Sequence, residues 1–183
     1  YPTGAGAARR VDHGEFAGIA AAAFLGDGKD IFVCGNEPGH AVRCYARPLA
    51  SGTFRPFTPE GVRAAWASAD GQFVVARSGD GYRQFSVRDG TSSSVPGLAL
   101  NDVVIRYSPD GKSLWTRQVG SIPVRVDQIN LKTGARSRLL PDFGARRAGV
   151  TGIVEVALAD DPRTLAYMER ESAGYLFELK KMQ

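Results

Sequence analysis

Short runs of apolar and β-branched residues alternate with glycine- and proline-rich breaks along the whole 183-residue chain. The runs VVIRYS at 103–108 and SLWTRQV at 113–119 have the length and aromatic content of strands, and a short polar turn separates them. Helical periodicity is absent from almost every segment, while 22 glycines and 10 prolines interrupt the chain at strand spacing. The pattern predicts an all-β protein.

The turn in YSPDGKSLW recurs along the chain. Equivalent aspartates stand at Asp27, Asp70, Asp110 and Asp161, at intervals of 43, 40 and 51 residues. These intervals are close to the length of about 40–50 residues that is typical of β-propeller blades. The longest interval contains a glycine-rich insertion at 142–152. The repeat therefore predicts four copies of one structural unit.

A second turn follows the first at a regular distance within the repeats. A small or polar residue precedes glycine at Ser51-Gly52, Asp89-Gly90 and Thr133-Gly134, a combination that joins antiparallel strands. Each repeat thus predicts a four-stranded antiparallel sheet, and the whole chain, 1–183, predicts one propeller domain or half-propeller. The predicted blades are 18–57, 63–96, 102–140 and 153–180, the last completed by residues 1–11.

The Asp-Gly pair of the repeat is interpreted as a turn rather than as a reactive site. Asp110 can accept hydrogen bonds from backbone N–H groups of its own turn, and Gly111 provides the backbone freedom. An Asp box would need glycine where Lys112 stands, and an EF-hand loop would need acidic residues at alternating positions ending in glutamate. The motif therefore predicts hairpins without a metal.

The phrases YSPDGKSLW, INLKTGARSRLL and DPRTLAYMERESAGYLFEL resemble the blades of TolB-like or WD-repeat-like bacterial β-propellers. The chain departs from that pattern at Gly26, Ala69 and Pro162. The resemblance implies the propeller fold without specifying a function. Such repeats occur in periplasmic assembly proteins, in domains that accompany peptidases and in C-terminal regions of bacterial serine/threonine kinases. It therefore favours a periplasmic or extracytoplasmic location over a cytoplasmic one.

The two ends of the chain indicate how a ring could close. The opening YPTGAGAARRV matches NLKTGARSRLL at 130–140, so residues 5–11 are predicted to form an outer strand without a blade of its own. The last repeat lacks an outer strand. Either four blades close on themselves, or the chain is half of a ring of seven or eight blades. Another stretch of the parent protein or a second copy in a homodimer would complete the larger ring, which we favour.

Cys34 and Cys44 are the only cysteines of the chain, too few for a disulfide framework or a zinc site. A hairpin loop at 36–39 would place Cys44 about three residues out of register with Cys34, or about 10 Å along the strand. We therefore expect two free, buried thiols.

The formal net charge of +4 arises from 18 arginines and 5 lysines against 19 acidic residues, scattered along the chain without a basic run. Nucleic acid is therefore not expected as a partner, because a nucleic-acid interface needs a basic cluster or stripe. The longest apolar stretch, 17–25, is too short to cross a bilayer, so direct membrane insertion is not expected.

The chain lacks the familiar catalytic sequence motifs. There is no G-x-S-x-G, no H-E-x-x-H and no phosphate-binding glycine loop, and the sequence has only two histidines. We therefore expect no enzymatic activity, no cofactor and no metal.

Loops displayed on a rigid scaffold are the remaining candidate site. His13 precedes an inner strand and His40 lies between second and third strands, so both are expected on one face with Glu37. Phe143 beside two arginines could hold a carboxylate or an acidic peptide. The sequence thus predicts a non-enzymatic module that binds protein, peptide or a small ligand, as the sensor or scaffold part of a larger protein. The alternative is an accessory or substrate-gating domain of a hydrolase or another enzyme. The candidate binding residues are His13, Glu15, Phe16, Glu37, His40, Glu60, Asp80, Asn101, Phe143, Arg146, Arg147 and Arg170.

Overall fold

A computed structural model of the chain describes residues 10–26, 28–50, 52–79, 81–144 and 148–172, with the backbone alone for 63–65. In these residues every regular element is a β-strand, as the sequence predicts. The strands form three four-stranded antiparallel sheets and one two-stranded sheet, each built from consecutive strands. The all-β prediction is therefore confirmed.

Each sheet is an antiparallel meander. Its first strand is the inner strand, which contacts the first strands of the neighbouring sheets. Blade 1 contains β1 (Gly18–Leu25), β2 (Asp30–Asn36), β3 (Arg43–Pro48) and β4 (Arg55–Pro56). Blade 2 contains β5 (Arg63–Ala67), β6 (Phe73–Ser78), β7 (Gly81–Ser86) and β8 (Ser92–Ser94). Blade 3 contains β9 (Asp102–Tyr107), β10 (Ser113–Gln118), β11 (Val126–Asn130) and β12 (Arg136–Arg138). Blade 4 contains β13 (Val150–Leu158) and β14 (Leu165–Glu171).

The blades stack face to face around an arc. The inner strands are neighbours in the order β1, β5, β9 and β13, and no comparable contact joins β13 back to β1, both of which are described over their whole length. One core cluster fills each junction, with Phe32 and Val74 between blades 1 and 2, Val75 and Leu114 between blades 2 and 3, and Trp115 with Val156 between blades 3 and 4. This is the packing of a β-propeller, with the described blades forming an open arc.

The turn chemistry predicted for the Asp-Gly motif is present in blade 3. The side-chain oxygen of Asp110 accepts a hydrogen bond of 3.0 Å from the Lys112 N–H and one of 2.6 Å from the Ser108 hydroxyl. Gly111 has a φ of 69°, which glycine adopts without strain. Asp70 accepts the same bond from the Gln72 N–H at 3.0 Å. Asp110 is therefore a turn residue, whereas Asp27 lies outside the described residues.

The expectation of two free thiols is wrong. Cys34 pairs directly with Cys44 across β2 and β3, and their sulfur atoms form a disulfide with a Cα–Cα distance of 3.9 Å. The register differs because the β2–β3 loop spans residues 37–42 instead of 36–39. Residues of this loop leave the sheet and bond to the connection that leads into blade 2, where the Gly61 N–H donates to the Val42 carbonyl at 2.7 Å. The loop length thus depends on a neighbouring blade.

The proposed ring closure by the chain ends falls largely outside the described residues. Only Arg10 and Val11 of the predicted outer strand 5–11 are described, and neither lies in a strand. The predicted third strand of the last blade, GYLFELK, also lies outside them. The closure therefore stays a prediction.

Candidate functional site

One face of the arc carries a surface of loops, in which hairpin loops of blades 1 and 3 contact connections between blades. In blade 1 the β2–β3 loop contacts the connection to blade 2, because the Gly61 N–H donates to the Val42 carbonyl. In blade 3 the Val119 N–H donates to the Asn101 carbonyl at 3.0 Å. Val124 then pairs with Phe143 of the next connection through two backbone hydrogen bonds. The loops are thus held by main-chain bonds and can present side chains in fixed positions.

Two of the predicted site residues, His40 and Glu60, form a side-chain pair on this surface. Nδ1 of His40 lies 2.9 Å from Oε1 of Glu60, and the Ala41 N–H donates to the other carboxylate oxygen at 3.2 Å. These two hydrogen bonds, the one from His40 foremost, lower the pKa of Glu60. Both side chains are more than two-fifths exposed, so the pair is accessible to a partner.

Three other predicted residues, Glu15, Phe16 and Glu37, line one cavity of about 350 Å³. Asp12, Arg47 and Phe54 also line it, and we call this cavity the acidic groove. Its aromatic wall is rigid, because the Phe16 and Phe54 rings meet edge-on with centroids 5.0 Å apart, and Phe16 also packs on Tyr45 at 4.8 Å. The groove therefore combines carboxylates with an apolar wall.

Two arginines support the acidic groove from β3. Arg47 is buried, donates to the main-chain oxygen of Asp12 at 3.1 Å and lies over the Phe54 ring at 5.0 Å. Arg43 donates to the Tyr45 hydroxyl at 2.9 Å, and this bond is the main reason that the pKa of Arg43 is raised. Its guanidinium also lies 3.5 Å from the Glu37 carboxylate. Arg47 also lies 4.0 Å from the Asp12 carboxylate, so the three carboxylates Asp12, Glu15 and Glu37 face two guanidinium groups and the local charge is about −1.

His13 does not line the acidic groove. It lines a second cavity of about 270 Å³ on the outward face of blade 1, which shares Asp12 and Phe54 with the groove and is otherwise lined by apolar residues such as Phe24 and Ile31. The two histidines and Glu37 therefore do not share one cavity. Among the described residues no group of three or more His, Cys, Asp or Glu side chains is arranged to hold a metal ion.

Of the remaining predicted site residues, Asn101, Phe143 and Arg170 are described and do not line the acidic groove. The Phe143 ring packs on Tyr167 of blade 4 with centroids 5.2 Å apart, and the Arg170 main-chain oxygen accepts a bond of 3.2 Å from the Thr151 hydroxyl. Asp80, Arg146 and Arg147 lie outside the described residues. The acid-binding site predicted around Phe143 thus stays a prediction.

The fold was compared with proteins of known structure. The chain aligns with TolB from Acinetobacter baumannii at a TM-score of 0.65 and 20% identity, over 86% of this chain and 39% of that one. A TolB-named protein from Agrobacterium tumefaciens aligns at 0.67 and 14% identity, over 88% and 58% of the two chains. The chain has a TolB-like β-propeller fold. It spans less than two thirds of either TolB chain.

Other comparisons widen the range of functions seen on this fold. The structure of a prolyl endopeptidase aligns with this chain at a TM-score of 0.57 and 14% identity, over 86% of this chain and 27% of that one. No protein-family model matches the sequence, and no curated protein matches it. The described residues contain no helix with the length and apolarity needed to span a membrane.

Sequence reasoning missed Asp12, Arg47 and Phe54 of the TolB-like chain as parts of the groove. Arg47 and Phe54 come from β3 and from the segment that leads into β4, and they meet Phe16 only after blade 1 has folded. A signal was present in the sequence, because aromatic residues precede β1 at Phe16 and follow the β3–β4 turn at Phe54. Solvated turns rarely need two such side chains.

Proposed function

We propose that the chain is a non-enzymatic β-propeller module that binds a protein or peptide partner at blade 1. The acidic groove carries this proposal, because three carboxylates stand beside an edge-packed aromatic wall in a cavity large enough for one side chain. A basic side chain of a partner fits this chemistry, since its stem can pack on Phe16 and Phe54 while its head meets Glu15 and Glu37. The loops around the groove are positioned by the rigid arc.

The experiment compares binding of basic and acidic peptide libraries to the wild type and to two charge-matched variants. Glu15→Gln with Glu37→Gln removes two negative charges from the groove. Gln72→Lys with Ser93→Lys adds two positive charges elsewhere on the exposed surface, so the net charge changes equally. We expect retained peptides to be rich in Lys or Arg and to bind the groove variant at least about tenfold more weakly, with the control unchanged. Equal weakening of peptide binding in both variants would show that overall charge, and not the groove, causes the effect.

A second candidate function is that of an accessory or substrate-gating domain of an enzyme. The structural alignment with a prolyl endopeptidase over 27% of its length favours it, because that protein carries a similar propeller within a larger enzyme chain. The full open reading frame distinguishes the two functions. An α/β-hydrolase domain encoded with the propeller would support the accessory function, and a kinase or membrane-spanning region would support a sensor.

We propose an extracytoplasmic location as well. The Cys34–Cys44 disulfide supports it, because reducing compartments rarely preserve structural disulfides. The test is to block free thiols during lysis of the source cells and to measure the mass of the peptide that contains both cysteines. A peptide carrying two blocking groups would contradict the proposal.

A further inference from the structure

A cavity of about 480 Å³ lies at the junction between blades 1 and 2, and we call it the junction cavity. Its charged walls are Asp30 and Arg55 of blade 1 and Arg88 of blade 2. The ring of Phe73, which is 37% exposed, lies in the same wall as an apolar surface. None of the residues that line this cavity lines the acidic groove, so the two sites are separate.

Contacts between the two blades fix the walls of the junction cavity. The Arg55 guanidinium donates to the Val87 carbonyl at 2.6 Å, which ties the outer strand of blade 1 to blade 2. The Val87 N–H in turn donates to the Gln72 carbonyl at 2.9 Å. On the other side, a Cβ at Gly71 would lie 2.6 Å from the Gly26 nitrogen, so the β1–β2 and β5–β6 turns are in direct contact. The cavity is therefore preformed.

Charges of opposite sign line the junction cavity without neutralising one another. Among the contacts of the described residues, no ion pair joins the Asp30 carboxylate to Arg55 or to Arg88. The bond described for the Arg55 guanidinium goes to an uncharged carbonyl. The neighbouring Asp89 carboxylate bonds to Thr91 and does not line the cavity. One carboxylate and two guanidinium groups are thus left to bind a ligand.

The repeats show that the fold itself does not require this charge pattern. Asp30 stands three residues after the turn aspartate of blade 1, where blade 2 has Phe73. Arg55 lies on the outer strand of blade 1, where blade 2 has Ser93. The outer turn that follows keeps a cation, because Lys132 stands there in blade 3. The junction between blades 2 and 3 therefore lacks both the carboxylate and one of the two cations.

We propose that the junction cavity binds a small zwitterion with an aromatic or apolar side chain, which is the chemistry of a free α-amino acid. The ligand carboxylate pairs with the guanidinium groups of Arg55 and Arg88, and its ammonium group pairs with Asp30. Its side chain packs on the Phe73 ring. A volume of about 480 Å³ falls within the range of about 300–1,000 Å³ that small-molecule sites have. A dianion such as phosphate is disfavoured, because the Asp30 carboxylate repels it.

The first test measures binding to the 183-residue chain by isothermal titration calorimetry, with phenylalanine, tryptophan and leucine as zwitterionic probes. Two blocked forms complete the series, since N-acetylphenylalanine lacks the ammonium group and phenylalanine amide lacks the carboxylate. We expect phenylalanine to bind at least about tenfold more tightly than either blocked form, which corresponds to about 1.4 kcal/mol for each lost ion pair. No binding of the three amino acids at millimolar concentration would overturn the proposal. So would a preference for inorganic phosphate, which indicates a simple anion site.

The second test assigns the two ends of the ligand to their residues. Asp30→Asn should weaken phenylalanine binding by about tenfold and leave the weak binding of N-acetylphenylalanine unchanged, because that probe has no ammonium group to lose. Arg88→Gln should weaken phenylalanine and leave phenylalanine amide unchanged. Lys132→Gln is the matched control for charge, since Lys132 is exposed on blade 3, and it should bind phenylalanine as the wild type does.

Circular dichroism and thermal melts of each variant check that the fold is retained. Equal weakening by Lys132→Gln and Arg88→Gln would show that overall charge causes the effect, which contradicts the site. If Asp30→Asn weakened N-acetylphenylalanine as much as phenylalanine, the carboxylate would not bind the ammonium group and the proposal would be wrong.

Discussion

Blades 1 and 3 share one strand plan and are stabilised by different means. Blade 3 lies inside the arc, and Arg136 of β12 bonds there to the buried carboxylates of Asp102 and Asp127, at 2.5 Å and 3.1 Å. Blade 1 lies at the end of the arc, where a disulfide joins β2 to β3 and Phe24 of β1 is exposed. The comparison shows two ways of joining strands within a blade, buried ion pairs in blade 3 and a disulfide in blade 1, whose contributions to stability can be measured separately.

The largest effect is expected inside blade 3. Arg136→Leu leaves Asp102 buried without its cation, which should lower the free energy of unfolding by about 3–5 kcal/mol, whereas Asp127 keeps Arg125 Nε at 2.7 Å. Asp102 would keep its bond from the Ala99 N–H, at 2.7 Å. The measurement is a denaturant melt, with Arg138→Leu as the control because the Arg138 side chain is half exposed and bonds only to Asp142 among the contacts described. Equal losses of unfolding free energy in the two variants would mean that the buried ion pairs contribute no more to stability than the exposed one.

A somewhat smaller effect is expected where the connection after blade 2 closely approaches a turn of blade 3 at two glycines, Gly97 and Gly134. Gly97 and Gly111 have nearly equal φ values, 73° and 69°, but a Cβ at Gly97 would collide with the Gly134 carbonyl of blade 3, whereas a Cβ at Gly111 meets open space. Gly97→Ala should therefore cost about 2–4 kcal/mol, and Gly111→Ala about 1 kcal/mol for backbone strain alone. The comparison of the two melts isolates the contact between blades. Equal costs would contradict the close approach.

The disulfide of blade 1 should contribute less. Cys34→Ser with Cys44→Ser removes the link from a loop of about ten residues, which should lower the free energy of unfolding by about 2–3 kcal/mol. Because β2 and β3 pair along their length, from Asp30 with Pro48 to Gly35 with Arg43, the strand pairing itself should survive. Reductant should destabilise the wild type and leave the double variant unchanged. A wild type insensitive to reductant would show that blade 1 does not depend on the link.

Local features of the fold follow from the sequence, and contacts between blades do not. The Asp110-Gly111 turn can be predicted because its donors and acceptors lie within five residues. The Cys34–Cys44 pairing cannot, because the β2–β3 loop has its length set by bonds to Glu60 and Gly61 of the next connection. Of the residues that line the acidic groove, loop position in the sequence predicts Glu15, Phe16 and Glu37 as candidates. Loop position does not predict Arg47 and Phe54, because these residues contact the segment before β1 only through tertiary packing.

The smallest effect is expected at the outer turn of blade 2, which depends on pH. Asp89 is exposed, and the Thr91 hydroxyl and N–H donate to its carboxylate at 2.7 Å and 3.0 Å. These bonds, with a further one from Ser86, lower its pKa from 3.8 to about 2. Since the unfolded chain binds the proton more readily, this turn stabilises the fold fully above pH about 4, and the contribution is lost as pH falls towards 2. Free energies of unfolding measured between pH 2 and 6 should therefore converge for the wild type and Asp89→Asn at the acidic end and separate by pH 4. Thr91→Val removes the stronger donor and should narrow that separation. Free-energy curves of the wild type and Asp89→Asn that run parallel at all pH values would contradict the role of the carboxylate in the turn.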